Sequence, residues 1–210
     1  MQSAGSLAEG FSALRALRPG AARLYLAGCS GEPVGLFKAL RSQPELARDL
    51  TFVGVPVPGL NHLDWTSLHA TARAEMPFMF EVMREGFAAG KIDLRPMHYS
   101  DSYRQMQTGP IDLAVIMVSP PGADGRVSLG LSADFSGAVL ARPEIPVMAV
   151  VNPCIPAPAD TLRVPLSRFD VAVEDDTPLV ELVESALPPV FARIGERISD
   201  LVGSQAACLQ

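Results

Sequence analysis

Much of what would mark this chain for a particular chemistry is missing. Its three cysteines, Cys29, Cys154 and Cys208, form no CxxC pair and are odd in number. That excludes a disulfide framework and points to a reducing compartment with buried or free thiols. Three histidines, His62, His69 and His98, show no HExxH or comparable spacing, so no metal site is expected. No stretch approaches the roughly 18 apolar residues that span a bilayer. The opening segment MQSAGSLAEGFSALRALRPG has no basic region followed by an apolar one, so it does not read as a signal peptide, and a cytoplasmic location is expected. Positive charge is the minority: 17 Lys and Arg against 23 Asp and Glu give a net charge of −6. Neither a nucleic-acid nor a membrane partner is expected. A phosphate loop ending in Gly-Lys-Ser/Thr, a GxGxxG fingerprint and a GxSxG nucleophile elbow are all absent, each of which would have named a chemistry.

What is present describes a well-packed globular chain. With 210 residues, 48% hydrophobic and 19% charged, it has the composition of a folded domain rather than a disordered one. A chain of this size buries roughly 70% of its unfolded surface. Leu7, Phe11, Leu14 and Leu17 mark one face of a helix over Ser6 to Leu17. A buried strand follows at Arg23 to Ala27, then the tight turn Gly28-Cys29-Ser30-Gly31 and a helix opening at Glu32-Pro33. The unit recurs. Strands are expected at Leu50 to Val57, Pro77 to Phe80, Ile92 to His98, Ile111 to Val118, Pro146 to Val151 and Phe169 to Val173. Helices are expected at Val82 to Ala89, Asp101 to Gln107, Phe135 to Ala141 and, with a start signal at Thr177-Pro178, Leu179 to Val202. Residues Ile111 to Val118 are almost all apolar, as a parallel strand covered on both faces should be. The pattern predicts a single α/β domain over residues 1–210, built on a mainly parallel sheet flanked by helices.

Ligands of open α/β sheets gather at the carboxyl ends of the strands, and two segments there stand out. In Gly28-Cys29-Ser30-Gly31-Glu32-Pro33, small residues let backbone amides approach a ligand, and the helix start favours an anion such as a carboxylate or phosphate. The plainer reading is that glycine only makes the turn. Cys29, just ahead of a helix, is either an activated thiol or a small buried one. The second segment, Val118-Ser119-Pro120-Pro121 onward to Ser132-Ala133-Asp134, leaves the most apolar strand and is rich in turn formers and hydroxyls. Asp134 fits the turn into the next helix. Arg84, Arg126 and Arg142 are either phosphate contacts or surface charges. Glu174-Asp175-Asp176 reads as a solvated face.

Taken in order, the motifs are Gly28 to Pro33, Gly90-Lys91-Ile92-Asp93 with Pro96, Ile111 through Pro121, and Gly125 with Ser128-Leu129-Gly130-Leu131-Ser132. Together with Asn152, Pro156, Asp160 and Val173 to Leu182, this order resembles the acetyl-CoA hydrolase/transferase family, in particular its 4-hydroxybutyrate-type CoA-transferases. The resemblance spans nearly the whole chain. It implies a NagB/RpiA-like CoA-transferase half-domain, one of two similar α/β halves with the active site between them. In such enzymes a glutamate carboxylate attacks an acyl-CoA thioester, since a carboxylate serves as both nucleophile and leaving group.

The same resemblance places the nucleophilic glutamate, and much of the CoA site, in the second half. No catalytic residue is therefore assigned to Glu32 or any other acid of this chain, which looks like the first half alone. The resemblance gives this half Ser30 and Gly31 as contacts to the acyl or carboxylate group, with Ser119 and Pro120 shaping the cleft. It further implies a second half or subunit as partner, a homo- or hetero-oligomer, an acyl-CoA and a small carboxylate as substrates, and no permanently bound cofactor. Three positions depart from the family pattern. Gly28 and Asp124 stand where histidine is frequent, and Ala157 stands where an arginine is usual. These departures leave open a non-catalytic, diverged half-domain used in binding or assembly.

Overall fold

The computed structural model describes residues 2–130, 133–183 and 186–202. Eight strands form one sheet in the order β1-β10-β8-β6-β2-β3-β4-β5. They are β1 (Gln2–Ser3), β2 (Ala22–Leu26), β3 (Leu50–Val53), β4 (Arg73–Met76), β5 (Ile92–Leu94), β6 (Leu113–Val118), β8 (Val147–Val151) and β10 (Val171–Glu174). Every neighbouring pair in this sheet is parallel. Two further strands, β7 (Arg126–Ser128) and β9 (Arg163–Pro165), pair antiparallel as a separate ribbon.

Helices cover both faces, as a parallel sheet requires. On one face α1 (Leu7–Ala16) and α2 (Val34–Ser42) bring Phe11, Leu14, Leu36 and Leu40 onto Leu24, Phe52 and Val150. On the other, α4 (Tyr99–Thr108) and α5 (Asp134–Leu140) pack Met106, Phe135 and Val139 onto Tyr25, Ile116 and Ala149. Two helices remain: the short α3 (Arg84–Ala88) and the C-terminal α6 (Pro189–Leu201). All six residues of β6 are buried, which accounts for its unbroken apolar run. Among the described residues no helix is long and apolar enough to cross a membrane.

The order of the strands positions the site. From β2 the chain builds outward through β3, β4 and β5, then returns with β6 to the other side of β2 and builds through β8 and β10. Between β2 and β6 the connections diverge, and in sheets of this kind ligands bind at the carboxyl ends of the strands at such a switch point. The loops carrying Ser30 and Ser119 leave these two strands.

Several expected elements are corrected. Pro77 to Phe80 is not a strand; the strand is Arg73–Met76 just before it. Its charged residues hid it, because Arg73 faces solvent while the half-buried Glu75 is paired with Arg23. The strands at Leu50 and Ile92 end at Val53 and Leu94, short of Val57 and His98. The last helix begins at Pro189 rather than Leu179, and residues 178–183 are irregular. Pro188 and Pro189 lack the N–H that a helix interior needs, so only Pro189 is helical, at the first position. Sequence patterning missed the two-residue β1 and the β7–β9 ribbon. The expected positions Leu131, Ser132 and Cys208 lie outside the described residues.

Candidate active site

The turn after β2 is held open by a side chain from another loop. Cys29 adopts a left-handed backbone conformation with φ of 52°, unusual for a residue with a side chain. What holds it there is Asn61, which is completely buried. Its Oδ1 accepts from the Cys29 amide at 3.0 Å and from the Val57 amide at 2.7 Å. Its Nδ2 donates to the Cys29 carbonyl at 2.9 Å and to Glu32 Oε2 at 3.1 Å. One amide side chain thus fastens the β2 turn to the loop after β3. Gly31 is buried and Ser30 half-buried within this turn.

Glu32 sits behind the turn, buried, with both oxygens occupied. Trp65 Nε1 donates to Oε1 at 3.1 Å while Asn61 serves Oε2. Trp65 itself is wedged edge-on against Phe37, with ring centroids 5.1 Å apart. Burial pushes the Glu32 carboxyl up from its ordinary value, against the opposing pull of the hydrogen bonds from Trp65 and Asn61 and the charge of His62. The cavity that Gly28 and Glu32 line with Trp65 and Met76 measures only 20 Å³, too small for an acyl group.

The loop after β6 is built differently. Ser119 is buried, and its hydroxyl accepts from the Ser128 amide at 2.9 Å while donating to the Pro120 carbonyl at 2.9 Å. The Ser128 hydroxyl in turn accepts from the Gly130 amide at 2.9 Å. Ser119 therefore braces the base of the β7 ribbon, whereas Pro120 is exposed and faces the open side. With Pro121, Val151, Pro153, Glu174 and Asp176, Pro120 lines a cleft of 440 Å³ at the carboxyl ends of β8 and β10.

An acid of the chain itself lies against the start of α2. A Cβ on Gly35 would lie 2.3 Å from Asp175 Oδ2, so the Asp175 carboxylate rests directly on the first turn of that helix. The positive end of the helix favours this placement. The other oxygen, Oδ1, accepts from the Thr177 hydroxyl at 2.8 Å. Asp175 is thus half-buried, with Oδ2 against Gly35 and without a hydrogen bond, while Glu174 and Asp176 beside it are exposed as expected of a solvated face. Likewise Arg126 donates to the Arg163 carbonyl, Arg142 to the Met106 and Gly109 carbonyls, and Arg84 pairs with Glu81. Among the described residues no group of histidine, cysteine and acidic side chains could hold a metal ion.

Residues 16–184 match the family model described as the acetyl-CoA hydrolase/transferase N-terminal domain. The chain belongs to the acetyl-CoA hydrolase/transferase family. It is 28% identical over 182 residues to the 4-hydroxybutyrate coenzyme A transferase of Clostridium kluyveri, covering 86% of this chain and 42% of that protein. Identity is also 28%, over 185 residues, to the succinyl-CoA:cyclohexane-1-carboxylate CoA transferase of Geobacter metallireducens, covering 86% and 41%. This domain therefore spans less than half the length of the curated relatives it matches. Its fold is that of RipA from Yersinia pestis, with a TM-score of 0.80 at 23% identity over 98% of this chain and 49% of that one. A more distant fold match is the decarboxylase AibA/AibB, with a TM-score of 0.58 at 17% identity, covering 96% of this chain and 94% of that one.

In this acetyl-CoA hydrolase/transferase domain, two of the three positions where the resemblance expects another residue, Gly28 and Asp124, have local structural roles, and nothing in the structure explains Ala157. A Cβ on Gly28 would fall 2.1 Å from the Val55 carbonyl oxygen. The end of β2 and the loop after β3 approach so closely that no side chain fits without backbone movement. Asp124 accepts from the Arg126 amide at 3.1 Å and pairs with Arg163 at 3.2 Å, shaping the ribbon turn at Gly125. Asn61 and Trp65 are the residues that sequence reasoning missed. A buried asparagine that bridges two loops leaves no periodic trace in the chain.

Proposed function

We propose that this domain is one half of a CoA-transferase or acyl-CoA hydrolase, and that a second half or subunit supplies the nucleophilic glutamate. CoA moves between an acyl-CoA thioester and a small carboxylate. The observation that carries this reading is the match to two CoA transferases over less than half of their length. Glu32 is enclosed by two donors, which supports it, whereas Glu174 and Asp176 stand exposed at the end of β10.

In this reading a carboxylate of the second half attacks the thioester carbonyl. The CoA thiolate leaves, and an acyl-glutamyl anhydride forms. The thiolate then attacks the glutamyl carbonyl, expels the acyl group as a carboxylate and leaves a glutamyl-CoA thioester. An incoming carboxylate reverses the two steps, and water gives hydrolysis instead. This half provides the facing wall. Ser30 and Gly31 meet the acyl or carboxylate group, the turn being held in advance by Asn61. Pro120, braced by Ser119, shapes the cleft. Such preorganised polar groups stabilise the developing oxyanion without rearranging. The second half is either the continuation of this polypeptide or a separate subunit, and the assembly is an oligomer. CoA is a substrate here, and no permanent cofactor is involved.

The test is an acyl-CoA and acetate exchange assay of the chain alone and with its second half. Activity is expected only in the combination. Appreciable transfer by the isolated chain would overturn the assignment of the nucleophile elsewhere. The resemblance sets a histidine where Gly28 stands, and the absence of room there favours a second reading, a diverged half used for binding or assembly. Failure of the combination to turn over would select that reading.

A further inference from the structure

Helix α6 is amphipathic yet packs on nothing. None of its 13 residues is buried. Phe191, Ile194, Ile198 and Leu201, preceded by Leu187, are spaced alternately four and three residues apart. This spacing sets them on one stripe, the seam by which a helix meets another surface. All are exposed, Phe191 at 54% and Leu201 at 86%. The opposite side carries Arg193, Glu196, Ser199 and Asp200. A lone helix of this length is marginal in water, and Gly195 in its middle weakens it further. Its apolar stripe therefore calls for a covering surface.

The position of α6 says which surface. The match to the N-terminal domain of the family ends at residue 184, and α6 begins at Pro189. The matched relatives extend well beyond this domain, which covers 42% and 41% of them. The helix thus lies just past the matched N-terminal domain. We infer that α6 is the docking helix of this half, and that the Phe191–Ile194–Ile198–Leu201 stripe seats in an apolar groove of the second α/β half of the enzyme. This rests on the two-half reading above and adds the surface through which the halves join. The helix-in-groove mode fits anchors at this spacing.

The experiment produces residues 1–210 and the polypeptide encoded directly downstream as two separate chains and measures their binding by calorimetry. Wild type is compared with the double variant Ile194→Asp/Ile198→Asp and with Ile194→Leu/Ile198→Leu. The aspartates should weaken binding about a hundredfold or more, as loss of central apolar anchors does, while the leucines retain it. Equal binding by wild type and the aspartate variant overturns the role of α6 and leaves the two-half reading standing. No binding by any version overturns both. Sedimentation of the chain alone covers the remaining occupant: self-association abolished by the aspartates would make the partner a second copy and contradict the inference.

Discussion

The sheet and its strand-end loops contrast sharply with α6. In the sheet, apolar strands are covered on both faces, and even the polar residues Asn61, Ser119 and Asn152 are buried with their hydrogen bonds made inside the chain. In α6 a comparable apolar stripe has no cover at all. Burial of apolar surface is the dominant favourable term in both folding and association. The first region has already gained that term. The second has not, which is why we infer a partner for it.

Substitutions at the two regions should therefore behave in opposite ways. The largest effect on stability is expected for Asn61→Ala, which leaves the Cys29 and Val57 amides and one Glu32 oxygen without their partner. A loss of about 3–5 kcal/mol follows from several unmet buried groups, or about 10 °C in melting temperature for a chain of this size. A shift of only a degree or two would mean that the turn after β2 holds itself. Ser119→Ala should cost about 1–3 kcal/mol, because the Ser128 amide is left unpaired in a buried site. Thermal or urea unfolding reads it, and a neutral result would remove Ser119 as the brace of the ribbon.

Glu32→Gln should cost less, about 1–2 kcal/mol, and in a pH-dependent way. Both Asn61 and Trp65 donate to Glu32, so a glutamine must turn its NH2 toward one of them. Burial raises the Glu32 carboxyl above its ordinary value, so folding favours its neutral form. Its contribution is full below the ordinary carboxylate range and declines as the pH rises through the raised value. Urea unfolding from pH 4 upward should thus show the gap between wild type and variant narrowing. A gap that widens would mean that the hydrogen bonds outweigh burial. The smallest effect belongs to Ile194→Asp/Ile198→Asp in the chain alone, within about 0.5 kcal/mol, the range of exposed substitutions. A clear loss of stability would show that α6 packs on its own sheet after all.

The same contrast explains what could be read from the chain. The apolar run of β6 and the β2–turn–α2 unit were legible because burial on both faces and helix-start residues are local signals. Strand β4 was not, since the role of Glu75 depends on Arg23, 52 positions away. The start of α6 was misplaced although Pro188-Pro189 marked it. The motifs directed attention to Ser30, Gly31, Ser119 and Pro120, while the pegs beneath the Ser30–Gly31 turn, Asn61 and Trp65, depend on loop-to-loop contacts that no spacing encodes. The approach of Asp175 to Gly35 is of the same kind. Glu174 and Asp176 are exposed, as the acidic run suggests, and only the fold brings a helix end against the residue between them.

The central claim is that this half holds no nucleophile and the second half does. Intact-mass analysis of the assembled enzyme, stopped during turnover with an acyl-CoA, tests it most directly. A covalent CoA adduct is expected on a glutamate of the second half, with the mass of this chain unchanged. A CoA adduct on any carboxylate of this chain would contradict the account.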